Sequence, residues 1–201
     1  PFTTRFLIGV SDYLRHYGLY TIVILIALGI LITVLLKKLP KLHYAADRLM
    51  LTLPLVGPMV QSYNMTNFCR TLGLCLKSGM PVTEATHITA DTTQNLVYRQ
   101  AIHQIAVHVT RGDKISKRLE QLPKVFPDIS TQMIAIGETT GGLSDTLIYL
   151  AEFHEGEVED FTKNLSSSIE PVLMIFMGVI VGFVAISVIT PIYDITKNLH
   201  P

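Results

Sequence analysis

Residues 171–193 read PVLMIFMGVIVGFVAISVITPIY, and this stretch decides the fold that the sequence predicts. Its 23 residues include no charged side chain. As a helix it is long enough to cross the hydrocarbon core of a bilayer, which is about 30 Å thick. Lipid offers the backbone no hydrogen-bond partner, so a single stretch of this kind must be helical. We therefore predict a transmembrane helix over residues 170–193 and a short extracytoplasmic tail over residues 194–201.

A second charge-free run covers residues 17–36, and we predict a first transmembrane helix there. Residues 1–16 before it are amphipathic and are expected to lie at the membrane surface. Four basic residues closely follow this span and two precede it: Lys37, Lys38, Lys41 and Arg48 against Arg5 and Arg15. The positive-inside rule then places residues 37–165 of this multi-pass protein in the cytoplasm.

The middle of the chain, residues 42–165, has the composition of a soluble domain, and its apolar residues recur at helical spacing. Glycine and proline divide it into segments. The predicted helices run over about 58–77, 82–92 and 95–111, then a short one from Asp113, one carrying Ile129, Met133 and Ile136, and a long one from Leu143. Gly79 is expected to end the first of these helices and Asn95 to cap the third. The predicted apolar stripes comprise Met65, Phe68 and Leu72 on the first, Tyr98, Ile102, Ile105 and Val109 on the third, and a run from Leu143 through Leu147, Leu150 and His154 to Ile169 on the long one. The prediction is an all-α fold, an antiparallel bundle of about six short helices flanked by two transmembrane helices.

Charge is distributed unevenly over this domain. Five basic residues form a candidate basic patch: Arg111, Lys114, Lys117, Arg118 and Lys124. From Asp128 to Asp160 the chain has eight acidic residues and no lysine or arginine. These groups are either two solvated faces that partly neutralise each other, or complementary docking surfaces for partners.

Four segments in a fixed order carry a family resemblance. They read LPLVGPMV (53–60), FCRTLGLCLKSGMPVTEA (68–85), VFPDISTQMIAIGETTGGLSDTL (125–147) and IEPVLMIFMGVIVGFVAISVITPIYDI (169–195). Over nearly its whole length the chain resembles the inner-membrane platform proteins of type II secretion and type IV pilus assembly. The most specific residues are Ser78, Gly79 and Pro81 with Glu84, then Gly137, Glu138, Gly141, Gly142 and Leu143, then Glu170 and Pro171, and finally Pro191 and Tyr193.

The resemblance implies both the partners of this protein and a further, homologous half that this chain does not include. Such proteins have two homologous helical domains and three spans, so this chain resembles the C-terminal half and is expected to be a piece of a longer polypeptide. Thr140 stands where the family usually has serine. The resemblance further implies a homo-oligomeric scaffold without catalytic activity. Its expected partners are a hexameric assembly ATPase, pilin or pseudopilin subunits, other inner-membrane assembly components and the lipid bilayer.

Three of these motifs leave alternatives open. The GETTGG block (residues 137–142) is either a structural hinge, with Gly141 and Gly142 at positive φ and Glu138 in a buried ion pair with an arginine of a neighbouring helix, or a surface recognised by another component. The small residues Gly178 and Gly182 favour a helix contact, with the first span, another subunit or a pilin helix. Glu170 either meets a charged partner, such as a pilin amine, or is hydrated where Pro171 starts a new helix.

The sequence also argues against several classes of protein. Zero net charge and the absence of tryptophan give no sign of nucleic-acid binding. The seven histidines lack metal-ligand spacing, and no phosphate-binding loop or nucleophile motif occurs, so we expect no metal, no cofactor and no enzymatic activity. The alternative function is a small transporter or channel subunit, although both predicted spans lack the charged groups that ion pathways need.

Overall fold

Helices make up most of the chain in the computed structural model, which describes residues 13, 16–18, 20–31, 39–54 and 56–197. The helices with complete bounds are α1 (Pro40–Thr52), α2 (Gly57–Lys77), α3 (Val82–Thr92), α4 (Leu96–Thr110), α5 (Ile115–Leu119), α6 (Asp128–Thr140) and α7 (Leu143–Lys197). Residues 16–18 and 20–31 are helical as well. None of the described residues forms a strand, and the predicted all-α class is confirmed.

The chain divides into two compact units. One comprises residues 39–163, and the other comprises residues 1–38 and 164–201. The predicted division into lead-in, spans, cytoplasmic domain and tail refers to a membrane, so it stays a prediction. Residues 1–12, 32–38 and 198–201, on which parts of that division fall, lie outside the described residues.

The core of the 39–163 unit forms where the helices bury the predicted apolar stripes. Its α2 side consists of Met65, Phe68 and Leu72, and its α4 side of Tyr98, Ile102, Ile105 and Val109. Phe126, between α5 and α6, lies between these sides. Its ring centroid is 5.5 Å from that of Phe68 and 5.5 Å from that of Tyr98. Burying a side chain of this size contributes about 1.5–3 kcal/mol, so this cluster provides much of the driving force for folding.

Local signals set the helix starts on either side of this core. Pro58 occupies the first turn of α2, where its missing N–H removes no helical hydrogen bond. Asn95 precedes α4, and its side chain accepts hydrogen bonds from the N–H groups of Val97 and Tyr98 at 3.0 and 3.1 Å. The predicted Asn95 cap is therefore confirmed.

Helix α6 buries a different face from the one the sequence suggested. Ile129 and Ile136 are 69% and 64% exposed, whereas Ser130, Ile134 and Gly137 are buried. Two sets of residues at helical spacing could each form the buried face of this helix. The one with small residues faces the bundle because α7 approaches α6 closely at Gly137.

Helix α7 combines a buried beginning with an apolar continuation. Leu147, Leu150 and His154 of the predicted stripe are buried. Within the described residues, α7 is the one helix with the length and composition to cross a membrane. From residue 172 to residue 186 every side chain is exposed, as expected for a surface that contacts lipid. The described part of the first predicted span is a shorter apolar helix.

Candidate functional site

Gly137 allows α6 to lie directly against α7. A Cβ atom at this position would lie 2.5 Å from Thr146 Oγ1 and 2.9 Å from Thr146 Cβ. It would also lie 3.3 Å from the Cα atom of Leu143, the first residue of α7. Only a residue without a side chain fits this contact, so the first residue of the GETTGG block serves packing.

The rest of the GETTGG block forms the turn between the two helices. Gly141 ends α6 with a φ of +79°, a left-handed conformation that favours glycine. Gly142 does not take a positive φ, so the expectation for that residue is wrong. Its carbonyl instead accepts the Thr146 N–H (3.0 Å) and hydroxyl (2.9 Å) at the start of α7. The hydroxyls of Thr139 and Thr140 donate to carbonyls one turn earlier in α6.

Glu138 binds the N-terminus of α5. Its carboxylate accepts the Ile115 N–H at 2.7 Å, the Ser116 N–H at 3.2 Å and the Ser116 hydroxyl at 2.7 Å. The expected arginine partner is wrong, since no ion pair of Glu138 occurs among the described residues. The first N–H groups of a helix lack intrahelical acceptors and carry partial positive charge, which a carboxylate satisfies.

No clear signal in the sequence indicated this contact. The residue before α5 is Lys114, which provides no side-chain cap. The carboxylate of Asp113, which the sequence suggested as the opening residue, instead bonds to Arg118 at 3.0 Å. Other helices of the unit also begin without a side-chain cap, so its absence at α5 does not single out Glu138.

The SGMP segment closes α2 with a pair of hydrogen bonds typical of a Schellman motif. The Gly79 N–H donates to Leu76 O at 3.0 Å, and the Met80 N–H donates to Cys75 O at 3.1 Å, with a Gly79 φ of +86°. Ser78 is the exposed C-cap, and Pro81 directly precedes α3. Glu84 is exposed in the first turn of α3, where the helix dipole favours an acidic residue.

The candidate basic patch extends from the end of α4 through α5 to the following turn. Four of its members are exposed: Arg111, Lys114, Lys117 and Lys124. Arg118 is partly buried and bonds to Asp113, to Gln121 Oε1 at 2.9 Å and to His108 Nδ1 at 2.8 Å. The hydrogen bond from Arg118 lowers the pKa of the Asp113 carboxyl below its ordinary value.

Sequence reasoning missed a polar network in the core. His154 is 3% exposed, and its Nε2 and Nδ1 atoms lie 2.8 Å from Ser130 Oγ and 2.8 Å from Glu157 Oε2. Glu157 also accepts the Ser62 hydroxyl at 2.8 Å. The order serine–histidine–carboxylate is that of a hydrolase triad. Ser130 is only 1% exposed, however, so a substrate cannot reach it, and the network joins α2, α6 and α7.

The remaining motif residues belong to α7. This helix runs through Glu170 and Pro171 without interruption, so a new helix does not start at Pro171. Among the residues that the structure describes, no atom lies within 4 Å of a Cβ placed at Gly178 or Gly182, so they leave that small-residue face open. Pro191 and Tyr193 lie near the end of the same helix.

The fold and the site together define a class: an all-α protein with a membrane-length apolar helix, whose motif residues shape turns and helix contacts. A family model described as "Type II secretion system (T2SS), protein F" matches residues 68–191, and the chain belongs to this family. The resemblance expected from the motifs is therefore confirmed.

Two curated relatives illustrate the range of the family. The chain is 37% identical to the type IV pilus assembly protein PilC of Thermus thermophilus, over 99% of this chain and 49% of that protein. It is 32% identical to the type II secretion system protein F of Vibrio cholerae, over 98% of this chain and 48% of that protein. The chain thus spans about half the length of the curated relatives it matches.

Proposed function

We propose that this chain is the C-terminal half of an inner-membrane scaffold in a type IV pilus or type II secretion machine. In this role it couples a cytoplasmic assembly ATPase to the insertion or extraction of pilin or pseudopilin subunits, without catalysing a reaction itself. The observation that carries the proposal is family membership: the family match includes residues 68–163 of the helical unit and most of the apolar part of α7.

The proposed topology has two spans, residues 17–36 and 170–193, with residues 37–165 in the cytoplasm. Two features support it. The α7 side chains from residue 172 to residue 186 are apolar or small and exposed in the isolated chain. Lysines follow the first apolar run, as expected on the cytoplasmic side.

The two classes of partner would bind different parts of the chain. The candidate basic patch, with four exposed cations, suits an acidic surface of the ATPase. The open face at Gly178 and Gly182 suits close approach of another apolar helix, from a pilin or from a second subunit of a homo-oligomer. Glu170, exposed at the start of the span, suits a positively charged group such as a pilin amine.

Co-purification tests the proposal with one variant for each surface. The full chain, co-expressed with the assembly ATPase and pilin of its own system, should retain both after solubilisation in mild detergent. Lys114→Glu with Lys117→Glu should lose the ATPase and keep the pilin, and Gly182→Leu should do the reverse. Lys77→Glu, an exposed lysine outside the patch, is the matched control. The proposal would be contradicted if both variants kept both partners, or if the unmodified chain retained neither partner.

A further inference from the structure

A groove of about 330 Å³ lies between α4 and the segment formed by α5 and its following turn. Its polar lining comes from Gln104, His108, Arg118 and Gln121, and its apolar lining includes Val107 and Leu122. Val107 is 46% exposed, so the apolar part of the groove is open to solvent. This volume is at the lower end of the range for ligand pockets and fits one or two side chains.

Arg118 is the charged residue in the lining of the groove. Its terminal nitrogens bond to Asp113, Gln121 and His108, which fixes the position of the guanidinium group. The side chain is still 25% exposed, so an anionic group in the groove can approach it.

The surroundings of the groove favour an anionic ligand. Residues 111–124 include five basic and two acidic side chains, a net charge of +3. One of the two acids, Asp113, is already bound to Arg118, and the other, Glu120, is exposed. The Glu138 carboxylate, from α6, is engaged by the N–H groups of α5. The segment that forms one side of the groove therefore carries a net positive charge.

We propose that this groove binds an acidic peptide segment of a partner protein, one that carries an apolar side chain next to a carboxylate. The carboxylate would meet Arg118 and the surrounding cations, and the apolar side chain would cover Val107. The carboxamide of Gln104 offers a donor and an acceptor, and that of Gln121, whose Oε1 accepts from Arg118, offers its N–H groups, which suits a peptide backbone. This proposal rests on the proposed function, because it names the chemistry by which the basic patch recognises a partner.

Fluorescence anisotropy with short peptides tests the proposal directly. The full chain is reconstituted in nanodiscs of zwitterionic phosphatidylcholine and titrated against fluorescein-labelled GSLEELDGS and its neutral counterpart GSLQQLNGS. The acidic peptide should bind at least tenfold more tightly than the neutral one. Val107→Glu, which leaves the contacts of Arg118 intact, should weaken that binding at least tenfold. Leu74→Glu, on α2 outside the groove and 56% exposed, is the matched control and should have no effect.

Several results would overturn the proposal. Equal binding of the two peptides would do so, as would an unchanged affinity of the Val107→Glu variant for the acidic peptide. Displacement of the acidic peptide when phosphatidylglycerol is added to the nanodisc would also do so, because it would identify a lipid headgroup as the occupant. Cross-linking between the chain and a second copy through a cysteine at position 107, in place of peptide binding, would identify a self-contact. If peptide binding fails while the ATPase still co-purifies, the groove proposal alone is rejected. If the peptide binds as expected and no ATPase co-purifies, the proposed function is rejected and the groove proposal stands.

Discussion

Replacement of Gly137 by alanine separates a packing role of the GETTGG block from a role in surface recognition. The new Cβ would lie 2.5 Å from Thr146 Oγ1 and 2.9 Å from Thr146 Cβ. The hydroxyl could move only by giving up its hydrogen bond to Gly142 O, and the Thr146 Cβ is attached directly to the backbone of α7. Relief of the clash therefore requires α6 and α7 to move apart.

The expected magnitude is the balance of two opposing effects. Overpacking of a well-packed contact costs about 1–3 kcal/mol. Alanine in place of glycine inside a helix gains about 0.5–1 kcal/mol through backbone entropy and helix propensity. The difference lies between about 0 and 2.5 kcal/mol, with a midpoint of about 1.3 kcal/mol of destabilisation, which lowers the Tm of a unit of this size by roughly 4–8 °C.

Thermal unfolding of the full chain in detergent micelles, followed by circular dichroism at 222 nm, measures this change. Gly156→Ala is the matched control, because a Cβ at this helical glycine of α7 meets no atom within 4 Å. It should raise the Tm, since it keeps only the propensity gain. If Gly137→Ala also raises the Tm, the close contact between α6 and α7 is refuted, and recognition by another component becomes the better explanation of the block.

Three further experiments test individual contacts and the burial of one thiol. Glu138→Ala should destabilise the chain by about 1–3 kcal/mol in urea unfolding, because it leaves N–H groups of α5 without an acceptor; a neutral result would contradict that contact. Burial raises the pKa of the Cys69 thiol, so Ellman's reagent at pH 8 should titrate only the partly exposed Cys75 in the folded chain and both thiols after denaturation. The lowered pKa of Asp113 means that its carboxylate stabilises the fold above its ordinary pKa of 3.8, and that this contribution is lost as pH falls through the lowered value. Asp113→Asn should therefore flatten the acid side of the stability–pH curve, and parallel curves for the two proteins would argue against the contact with Arg118.

The sequence predicted those parts of the fold that depend on near neighbours. Asn95 caps α4 through groups two and three residues away, and Gly79 ends α2 through hydrogen bonds within six residues. The stripe on α4 from Tyr98 to Val109 was also predictable, because it was the only apolar face of that helix. In each case the residues that determine the conformation are close to one another in the sequence.

Contacts between distant segments were not predictable in the same way. Glu138 accepts hydrogen bonds from residues more than twenty positions earlier, and the His154 network draws on Ser62 and Ser130 from two other helices. The buried face of α6 could not be chosen from its own residues, since Ile129 and Ile136 gave the stronger apolar pattern. That choice depends on how closely α7 approaches, which only the folded chain shows.

The motif residues at the helix turns and the cations proposed to bind the ATPase are different sets. Gly79, Gly137, Gly141 and Glu138 each satisfy a backbone conformation, a close contact or a helix end. Under the proposed function, the ATPase is recognised by exposed side chains such as the cations around α5. Glu138 connects the two sets, because it fixes the N-terminus of the helix that carries Lys117. A change at Glu138 should consequently weaken partner binding through the position of α5, even though Glu138 itself need not contact a partner.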